Sequence, residues 1–428
     1  MTNLRKKVFA AISAGAMLFS VVSPAAAQTT LQVTGNGSDS TSAINLSQAA
    51  TTNVVQHNDA DIHNNVDASA NSGSNDANRN TGGNVTVDTG NAKTDVAVSN
   101  QVNSNSANVA CCAAQDTAVL ISGNGANSTN DANLSQASTT AVYQDNKADI
   151  KNDVDAKSNT GKNDANRNTG GDVQVTTGNA TTLVDVSNTA NANRAQVGGG
   201  TGANQGHVDV RIVGNGSDSD NDVNLLLAHS TVLSQDNNAR IHNDVDADAN
   251  SGKNDANRNT GGDVIVDTGD AKVDVAVDNA VNFNWAEVDC GCLLDIFAKV
   301  AGNGDHSTND INAALANDLN VFQDNCGQET NSIWELSPIR RHNCSLNNDV
   351  DAKAKTGLND ANRNTGGPNG ADPAVFTGGA TSNVDVANSG NANAYGVAAS
   401  TEWPHFTFGF NFNFGGLSLS ELLALLGH

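Results

Sequence analysis

The nine residues NDANRNTGG occur four times in this chain, at 75–83, 163–171, 254–262 and 359–367. A second motif, GNG, begins at residues 35, 123, 214 and 302, so its copies are 123 − 35 = 88, 214 − 123 = 91 and 302 − 214 = 88 residues apart. The step from GNG to NDANRNTGG is 40 residues in three copies and 57 in the last, which indicates an insertion of 57 − 40 = 17 residues. Repetition at a fixed spacing predicts four copies of one structural unit.

Apolar and charged residues alternate with a period of two within each unit. In the second copy Gln144, Ile150 and Val154 share one parity, whereas Asp145 and Asp153 share the other. This alternation is typical of half-buried β-strands. In the third copy it places Val277, Asn279 and Val281 inside and Asp278 and Asn282 outside.

These patterns predict an all-β fold, a β-solenoid of four repeat units of about 90 residues, closed by a short aromatic strand and a helix at the C-terminus. Because an ordinary strand has about five or six residues, we expect corners within each alternating run. If a unit forms about four coils that each rise ~4.8 Å, the chain makes a rod of roughly 80 Å. The alternative is a string of four β-sandwich domains. The aromatic content of 4% and the lack of a Cys-Trp-Cys core pattern favour the solenoid.

NDANRNTGG has the composition of a corner. Gly82 and Gly83 tolerate a positive φ, and Asn and Asp side chains bond to nearby backbone. The inward Asn and Gln residues are costly to bury unless they are hydrogen-bonded. Stacked in register, they are expected to form amide ladders.

The first residues have the pattern of a secretory signal peptide. Arg5, Lys6 and Lys7 precede an apolar run from Val8 to Val22, and Ala25 to Ala27 form a small-residue cleavage site. The sequence therefore predicts a secreted, extracellular or cell-surface protein with no membrane span in the mature chain. The predicted organisation is: signal peptide 1–27, unit 1 at 28–120, unit 2 at 121–211, unit 3 at 212–299, unit 4 with the insertion at 300–400, and a C-terminal cap or assembly segment at 401–428.

The segments GNGSDSTSAINLSQ (35–48) and GNGANSTNDANLSQ (123–136) resemble curlin repeats, the subunits of bacterial curli fibres. More broadly, the chain resembles bacterial secreted repeat proteins rich in Asn and Gly. The resemblance implies an extracellular, β-stacked role in a matrix or fibre. The chain departs from curlin in its unit length and in its mixed Asp and Lys decoration.

The charge limits the choice of partners. The formal net charge is −24, and loss of the three basic leader residues would make it −24 − 3 = −27. Nucleic acids and anionic membranes require a basic face, so neither is an expected partner. We expect other copies of the chain or other surface proteins as partners, with glycans as a further option.

Six cysteines follow the leader, an even number for an oxidising compartment. Cys326 and Cys344 bracket the insertion and are predicted to form a disulfide that pins a loop. The other four lie at matching places at the ends of units 1 and 3, and structural bridging is their favoured role: Cys111, Cys112, Cys290 and Cys292.

Calcium is the one cofactor with a candidate site. Asp244, Asp246, Asp248 and Asn250 stand at alternate positions, as at the start of an EF-hand loop. The residues at positions six and twelve of such a loop are wrong here, and two equivalents of Asp248 are lysines. A solvated strand face is therefore the preferred interpretation, and no cofactor is expected.

No arrangement of residues indicates catalysis. The nine histidines are scattered, and no nucleophile elbow, metalloprotease helix or phosphate loop occurs. The sequence therefore predicts a non-enzymatic structural or adhesive protein of the cell surface or extracellular matrix, with fibre formation as one expected form of assembly. The alternative is a solenoid that binds calcium, glycans or ice.

Two regions depart from the repeat and are candidate partner contacts. Within the insertion these are Trp334, Arg340 and Arg341. In the C-terminal segment five phenylalanines share one parity: Phe406, Phe408, Phe410, Phe412 and Phe414. That segment either caps the last coil, which repeat proteins need, or serves in assembly or sorting.

Overall fold

The computed structural model describes residues 17–22, 29–109, 117–198, 207–289, 295–326, 344–366 and 372–396. These residues form an all-β fold, as predicted. A first strand β1 (Met17–Val22) precedes the repeats. Unit 1 contains β2 (Thr29–Thr34), β3 (Thr41–Asn71), β4 (Val85–Asp88) and β5 (Ala92–Val109).

The later units repeat this order of strands. Unit 2 contains β6 (Thr117–Ser122), β7 (Thr129–Asn159), β8 (Val173–Thr177) and β9 (Ala180–Gly198). Unit 3 contains β10 (His207–Val213), β11 (Asp220–Asn250), β12 (Val264–Thr268) and β13 (Ala271–Asp289). Unit 4 contains β14 (Asp295–Ala301), β15 (Thr308–Asn325), β16 (Ser345–Lys355), β17 (Ala374–Phe376) and β18 (Ala380–Tyr395), because the insertion divides its long strand.

Each unit is a single coil of the solenoid. Val66 pairs with Val154, Val154 with Val245, and Val245 with Val350, all in parallel. Every unit thus contributes to each of the four sheets. In the long-wall sheet β3, β7 and β11 are neighbours, and both β15 and β16 of unit 4 pair with β11. The prediction of about four coils per unit and an 80 Å rod was therefore wrong. We call the residues at one position of the four stacked units a column.

The single long strand explains the error. β7 runs for 31 residues without a corner, so the alternation measures the width of one coil and not a succession of coils. At about 3.3 Å per residue this strand is roughly 100 Å long, and four coils at ~4.8 Å spacing rise only about 19 Å. The repeats thus form a wide, low stack.

Each coil is a flat loop with two walls. The long strand forms one wall, while the strands equivalent to β2 and β5 lie opposite its two halves. Val98, Val186 and Val277 of one wall pack against Val154 and Val245 of the other. Near the start of the long strand, a second cluster joins the β2-type strands to the same wall. The narrow space between the walls explains why small side chains dominate the interior.

NDANRNTGG forms the corner between the two walls, as predicted. Arg79, Arg167, Arg258 and Arg363 all have positive φ, between 56° and 62°. Gly82 has a φ of 79°. Equivalent corners pair with one another through parallel bridges from Asp76 to Asp164 and onward through Asp255 to Asp360. The motif recurs because every corner must stack on an identical corner.

The inward amides form ladders, which was also predicted. In the Asn58 column each side-chain Nδ2 donates to the Oδ1 of the next unit. The distances are 3.0 Å from Asn58 to Asn146, 3.0 Å from Asn146 to Asn237 and 3.2 Å from Asn237 to Asn325. The opposite wall interlocks with it, since Asn58 also donates to Asn105 over 2.8 Å. Buried amides in these columns thus have hydrogen-bond partners, as burial requires.

In β13, which lies opposite the long wall, one residue was predicted to face the wrong side. Asn282 was placed outside, but only 1% of its surface is exposed, and it follows the buried Val281 directly. Its φ is 61°, and Asn103, Asn191 and Asn391 of the same column also have positive φ. This local bend shifts the inward parity by one residue, and the column fills the space with another amide ladder.

Candidate interaction surfaces

The stack has two open edges in the part of the chain that the structure describes. β3 and β15 are the outermost strands of the long-wall sheet. We call the outer side of unit 1 the unit 1 edge and that of unit 4 the unit 4 edge. An outermost strand presents backbone N–H and C=O groups without strand partners, which can pair with a further strand.

Strand β1 occupies a small part of the unit 1 edge. It pairs in parallel with Ser104 to Val109 of β5, so that Met17 lies beside Ser104. These residues belong to the predicted leader, which removal of the signal peptide would take away. The unit 1 edge is therefore able to accept an additional parallel strand.

Inward side chains of unit 4 are exposed through its open edge. Val386 is 40% exposed, whereas Val186 and Val277 of the same column are fully buried. Leu346 is likewise 40% exposed, although Ile241, its partner in unit 3, is 1% exposed. Such positions are apolar because the column is apolar, yet in the last unit no further described coil covers them.

Most of the asparagine ladders share one direction, whereas the columns of Asn45, Gln48, Gln56 and Asn71 run the opposite way, because there the side chain of unit 2 donates to that of unit 1. In eight Asn columns the side chain of unit 1 donates to that of unit 2; these columns begin at Asn36, Asn58, Asn64, Asn75, Asn80, Asn100, Asn103 and Asn105. The Asn103 column continues through Asn191 and Asn282 to Asn391 at 3.0 Å per step. Unit 1 thus ends such a ladder with a carbonyl oxygen and unit 4 with an amide nitrogen.

The outer faces carry ion pairs between units. Lys147 Nζ lies 3.2 Å from Asp59 Oδ2, and Arg240 lies 3.5 Å from Asp149. His57 Nδ1 also makes a hydrogen-bond contact of 2.8 Å with Asp145 Oδ2. Their side chains are close to half exposed, and pairs of this kind contribute about 0–1 kcal/mol each. They therefore help to set the register more than the stability.

Stacking in register also brings like charges together. Asp164 lies between Asp76 and Asp255 in the corner column. Burial, and then the neighbouring Asp76 carboxylate, raise the pKa of Asp164. Burial likewise raises the pKa of Asp255, with Asp164 and Asp360 adding to the effect. On the wall opposite the long strand, burial raises the pKa of Asp185, and the neighbouring carboxylates of Asp278 and Asp95 add to the effect.

The candidate calcium residues do not form a shared site. Asp244, Asp246 and Asp248 lie along the outer face of β11. Asp248 forms an ion pair with Lys355, with 3.1 Å between Oδ1 and Nζ. Asp248 also stands in register with Lys157 and Lys353. Asn250 points its Nδ2 at Asn159 Oδ1 over 2.7 Å. No group of three or more His, Cys, Asp or Glu side chains in the described ranges is arranged to hold a metal ion.

The predicted disulfide between Cys326 and Cys344 is present, with a Cα–Cα distance of 5.4 Å. Asn325 pairs with Asn237 and Ser345 with Arg240, so the two cysteines stand where unit 3 has Asn238 and Ala239. The bond thus closes the coil where the insertion leaves it. The insertion residues Trp334, Arg340 and Arg341 lie outside the described residues.

Several other predicted contacts also lie outside the described residues. They are the cysteines Cys111, Cys112, Cys290 and Cys292, the phenylalanines Phe406, Phe408, Phe410, Phe412 and Phe414, and the predicted C-terminal strand and helix.

An apolar column on the outer face of the long wall was not predicted from the sequence. Val55 is 67% exposed, Tyr143 42% and Phe322 59%. These residues share one column, in which unit 3 has Ser234. These residues stand at outward positions, which are otherwise polar. Only an alignment of the four units would have shown that apolar residues recur in this column.

No family model, curated protein or solved structure matches this chain. In addition, no helix of the described residues is long and apolar enough to cross a bilayer.

Proposed function

We propose that this chain is a secreted, non-enzymatic structural protein of the cell surface or extracellular matrix that associates with further copies of itself. The observation that carries the proposal is the pair of open edges. A globular protein that works alone usually protects its strand edges with bulges, charges or covering segments. Here the described part of unit 4 instead exposes inward residues such as Leu346 and Val386.

The outer surface supports a structural role over ligand binding. Its charged residues are distributed along both walls and are partly engaged in ion pairs between units, as for Lys147 with Asp59. Regular ladders of amides repeat through all four units, which stiffens a scaffold without creating a local reactive group. The curlin-like segments agree with such a role.

Self-association is tested on the chain that begins at Gln28, the predicted mature N-terminus. Sedimentation velocity over a range of concentrations is expected to show species that grow with concentration, and electron microscopy should show elongated assemblies. A protein that stays monomeric at every concentration up to the millimolar range contradicts the proposal. Addition of calcium to the same samples tests the alternative, for which saturable binding with a large rise in melting temperature is the expected sign.

A further inference from the structure

We propose that successive molecules stack head to tail, with the unit 1 edge of one copy placed parallel and in register on the unit 4 edge of a second copy. This inference rests on the proposed self-association and specifies its geometry. The junction would repeat the contact that already exists three times within the chain, between units 1 and 2, 2 and 3, and 3 and 4.

Glycines at the two edges support this geometry. In the stack, a Cβ added to Gly125 would come closer than 3.0 Å to the backbone of Gly37 and Ser38, and one added to Gly252 would come equally close to Gly357. These columns therefore need glycine wherever a neighbouring unit is present on the side to which the Cβ would point. Gly37 would direct its Cβ to the open unit 1 edge, and Gly357 to the open unit 4 edge.

Neither edge glycine is required within the isolated chain. A Cβ at Gly37 or at Gly357 meets no described atom within 4 Å, and neither residue has a positive φ. Gly90 is in the same situation at the unit 1 edge. A further coil stacked on each edge would supply the close backbone approach that requires these glycines.

Head-to-tail stacking continues the ladders of both directions, including the columns of Gln56 and Asn45, in which unit 2 donates to unit 1. At the unit 4 edge the amide nitrogens of Asn388 and Asn391 donate to no described residue, and each oxygen already accepts a bond from unit 3. At the unit 1 edge the Oδ1 atoms of Asn64 and Asn103 accept no bond from a described residue, whereas their nitrogens donate to unit 2. Head-to-tail stacking joins these donors to these acceptors. Contact between two unit 1 edges would leave the oxygens of Asn64 and Asn103 without the matching donors of the unit 4 edge.

The same arrangement covers the exposed inward residues. Val386 of one copy would lie beside Val98 of the next, since both belong to one column. Strand β1 shows that the unit 1 edge accepts a parallel strand, because it pairs with Ser104 to Val109. In a stack, Ala392 to Tyr395 of the neighbouring copy would take this place, so that β1 must leave before the edge can be used completely.

Two single substitutions test the geometry on the chain from Gln28. Gly37→Ala adds a methyl group at the unit 1 edge only, and Gly357→Ala adds one at the unit 4 edge only. Because each Cβ faces open space in the isolated chain, both variants should fold and melt like the unsubstituted protein. In a head-to-tail stack each methyl group would collide with the backbone of the adjoining copy. Ser47→Ala, a change on the outer face of unit 1, is the matched control.

In sedimentation velocity, we expect Gly37→Ala alone and Gly357→Ala alone to remain monomeric at concentrations where the control assembles. An equimolar mixture should form species of two molecules and stop there, because each partner contributes its one intact edge. If Gly37→Ala has a reduced melting temperature, Gly90→Ala replaces it as the unit 1 edge variant.

Three outcomes overturn the inference or its basis, and they are distinguishable. Assembly of either single variant at the level of the control rules out in-register stacking on that edge. Dimers of Gly37→Ala on its own would indicate contact between two unit 4 edges and would exclude the head-to-tail arrangement. Both results would leave the proposed self-association intact, whereas a control that never assembles contradicts that proposal as well.

Discussion

Units 2 and 3 carry the same columns of residues as units 1 and 4, but each lies between two neighbours in place of one. Val186 and Val277 in the middle of the stack are fully buried, whereas Val386 at its end is 40% exposed. The sequence of a unit does not produce this difference, since all three positions are valine. The position in the stack produces it, and the effect belongs to the unit 4 edge, because Val98 of unit 1 also has a single neighbouring coil but is only 6% exposed.

This comparison shows where the stability of the fold arises. A single coil is one strand thick in the stacking direction, so it cannot enclose its own inward side chains. Burial, backbone pairing and amide ladders all come from the neighbouring unit, which is the general behaviour of repeat proteins. We therefore expect the same substitution to have a large effect in the middle units and a smaller effect in unit 4.

The largest difference is expected for a buried charge. Val186→Asp places a carboxylate among apolar neighbours and should reduce the free energy of unfolding by more than about 4 kcal/mol. Val386→Asp leaves the carboxylate partly in water and should cost clearly less. Chemical denaturation of both variants in the Gly37→Ala background, where stacking is prevented, measures the two effects. Equal losses would show that the end unit is covered in solution.

A smaller difference is expected for an added methyl group at a close approach. A Cβ on Gly252 would collide with the backbone of unit 4, and one on Gly357 would meet no described atom. Overpacking of this kind costs about 1–3 kcal/mol. Gly252→Ala should therefore lower the melting temperature, while Gly357→Ala should leave that of the monomer unchanged. A similar loss in both variants would mean that another segment covers the unit 4 edge.

The disulfide should affect unit 4 more than the rest of the stack. β11 runs without interruption through Asn238 and Ala239, whereas unit 4 depends on the bond between Cys326 and Cys344 to close the same place. In a chain-entropy model a loop of this size corresponds to about 3 kcal/mol. For the double variant Cys326→Ser/Cys344→Ser, hydrogen exchange should increase along β15 and β16 and stay unchanged along β7. An equal increase in both regions would contradict a local role.

Much of this fold could be predicted from the sequence, because alternation reports directly which side of a strand is buried. The inward positions of Ile150, Gln144 and Val154 and the corner at NDANRNTGG were confirmed. So was the disulfide, since the two cysteines bracket the 17-residue insertion of the last unit.

The size of the coil was predicted wrongly for a physical reason. Alternation is the same whether a strand is six or 31 residues long, so the pattern does not report where the chain bends. Each unit has few glycine-containing turns, namely GNG, NDANRNTGG and the Thr-Gly pair between its last two strands. So few turns fit one wide coil per unit, which the prediction of about four coils overlooked. The bend at Asn103 and Asn282 uses asparagine with positive φ in place of glycine, and for this reason it could not be recognised by composition.

The smallest expected effect concerns pH, and it again depends on the middle units. Burial, followed by neighbouring carboxylates, raises the pKa values of Asp164 and Asp255. A carboxyl group whose pKa is higher in the folded state binds its proton more tightly there than in the unfolded chain. The cost of burying its charge is therefore present at neutral pH. It is relieved as the pH falls through the folded pKa towards the ordinary aspartate value of about 4.

The stack should accordingly become more stable on mild acidification, in contrast to proteins whose carboxylates are held in favourable pairs. We expect the melting temperature of the Gly37→Ala protein to rise between neutral pH and roughly pH 4.5, just above the range in which ordinary aspartates take up protons. Asp164→Asn/Asp255→Asn removes two of these charges while retaining the size of the side chains. The double variant should be more stable than its parent at neutral pH and should gain less on acidification. If parent and variant gain equally, the corner column is not responsible, and the carboxylates of the wall opposite the long strand, such as Asp185, become the groups to substitute next.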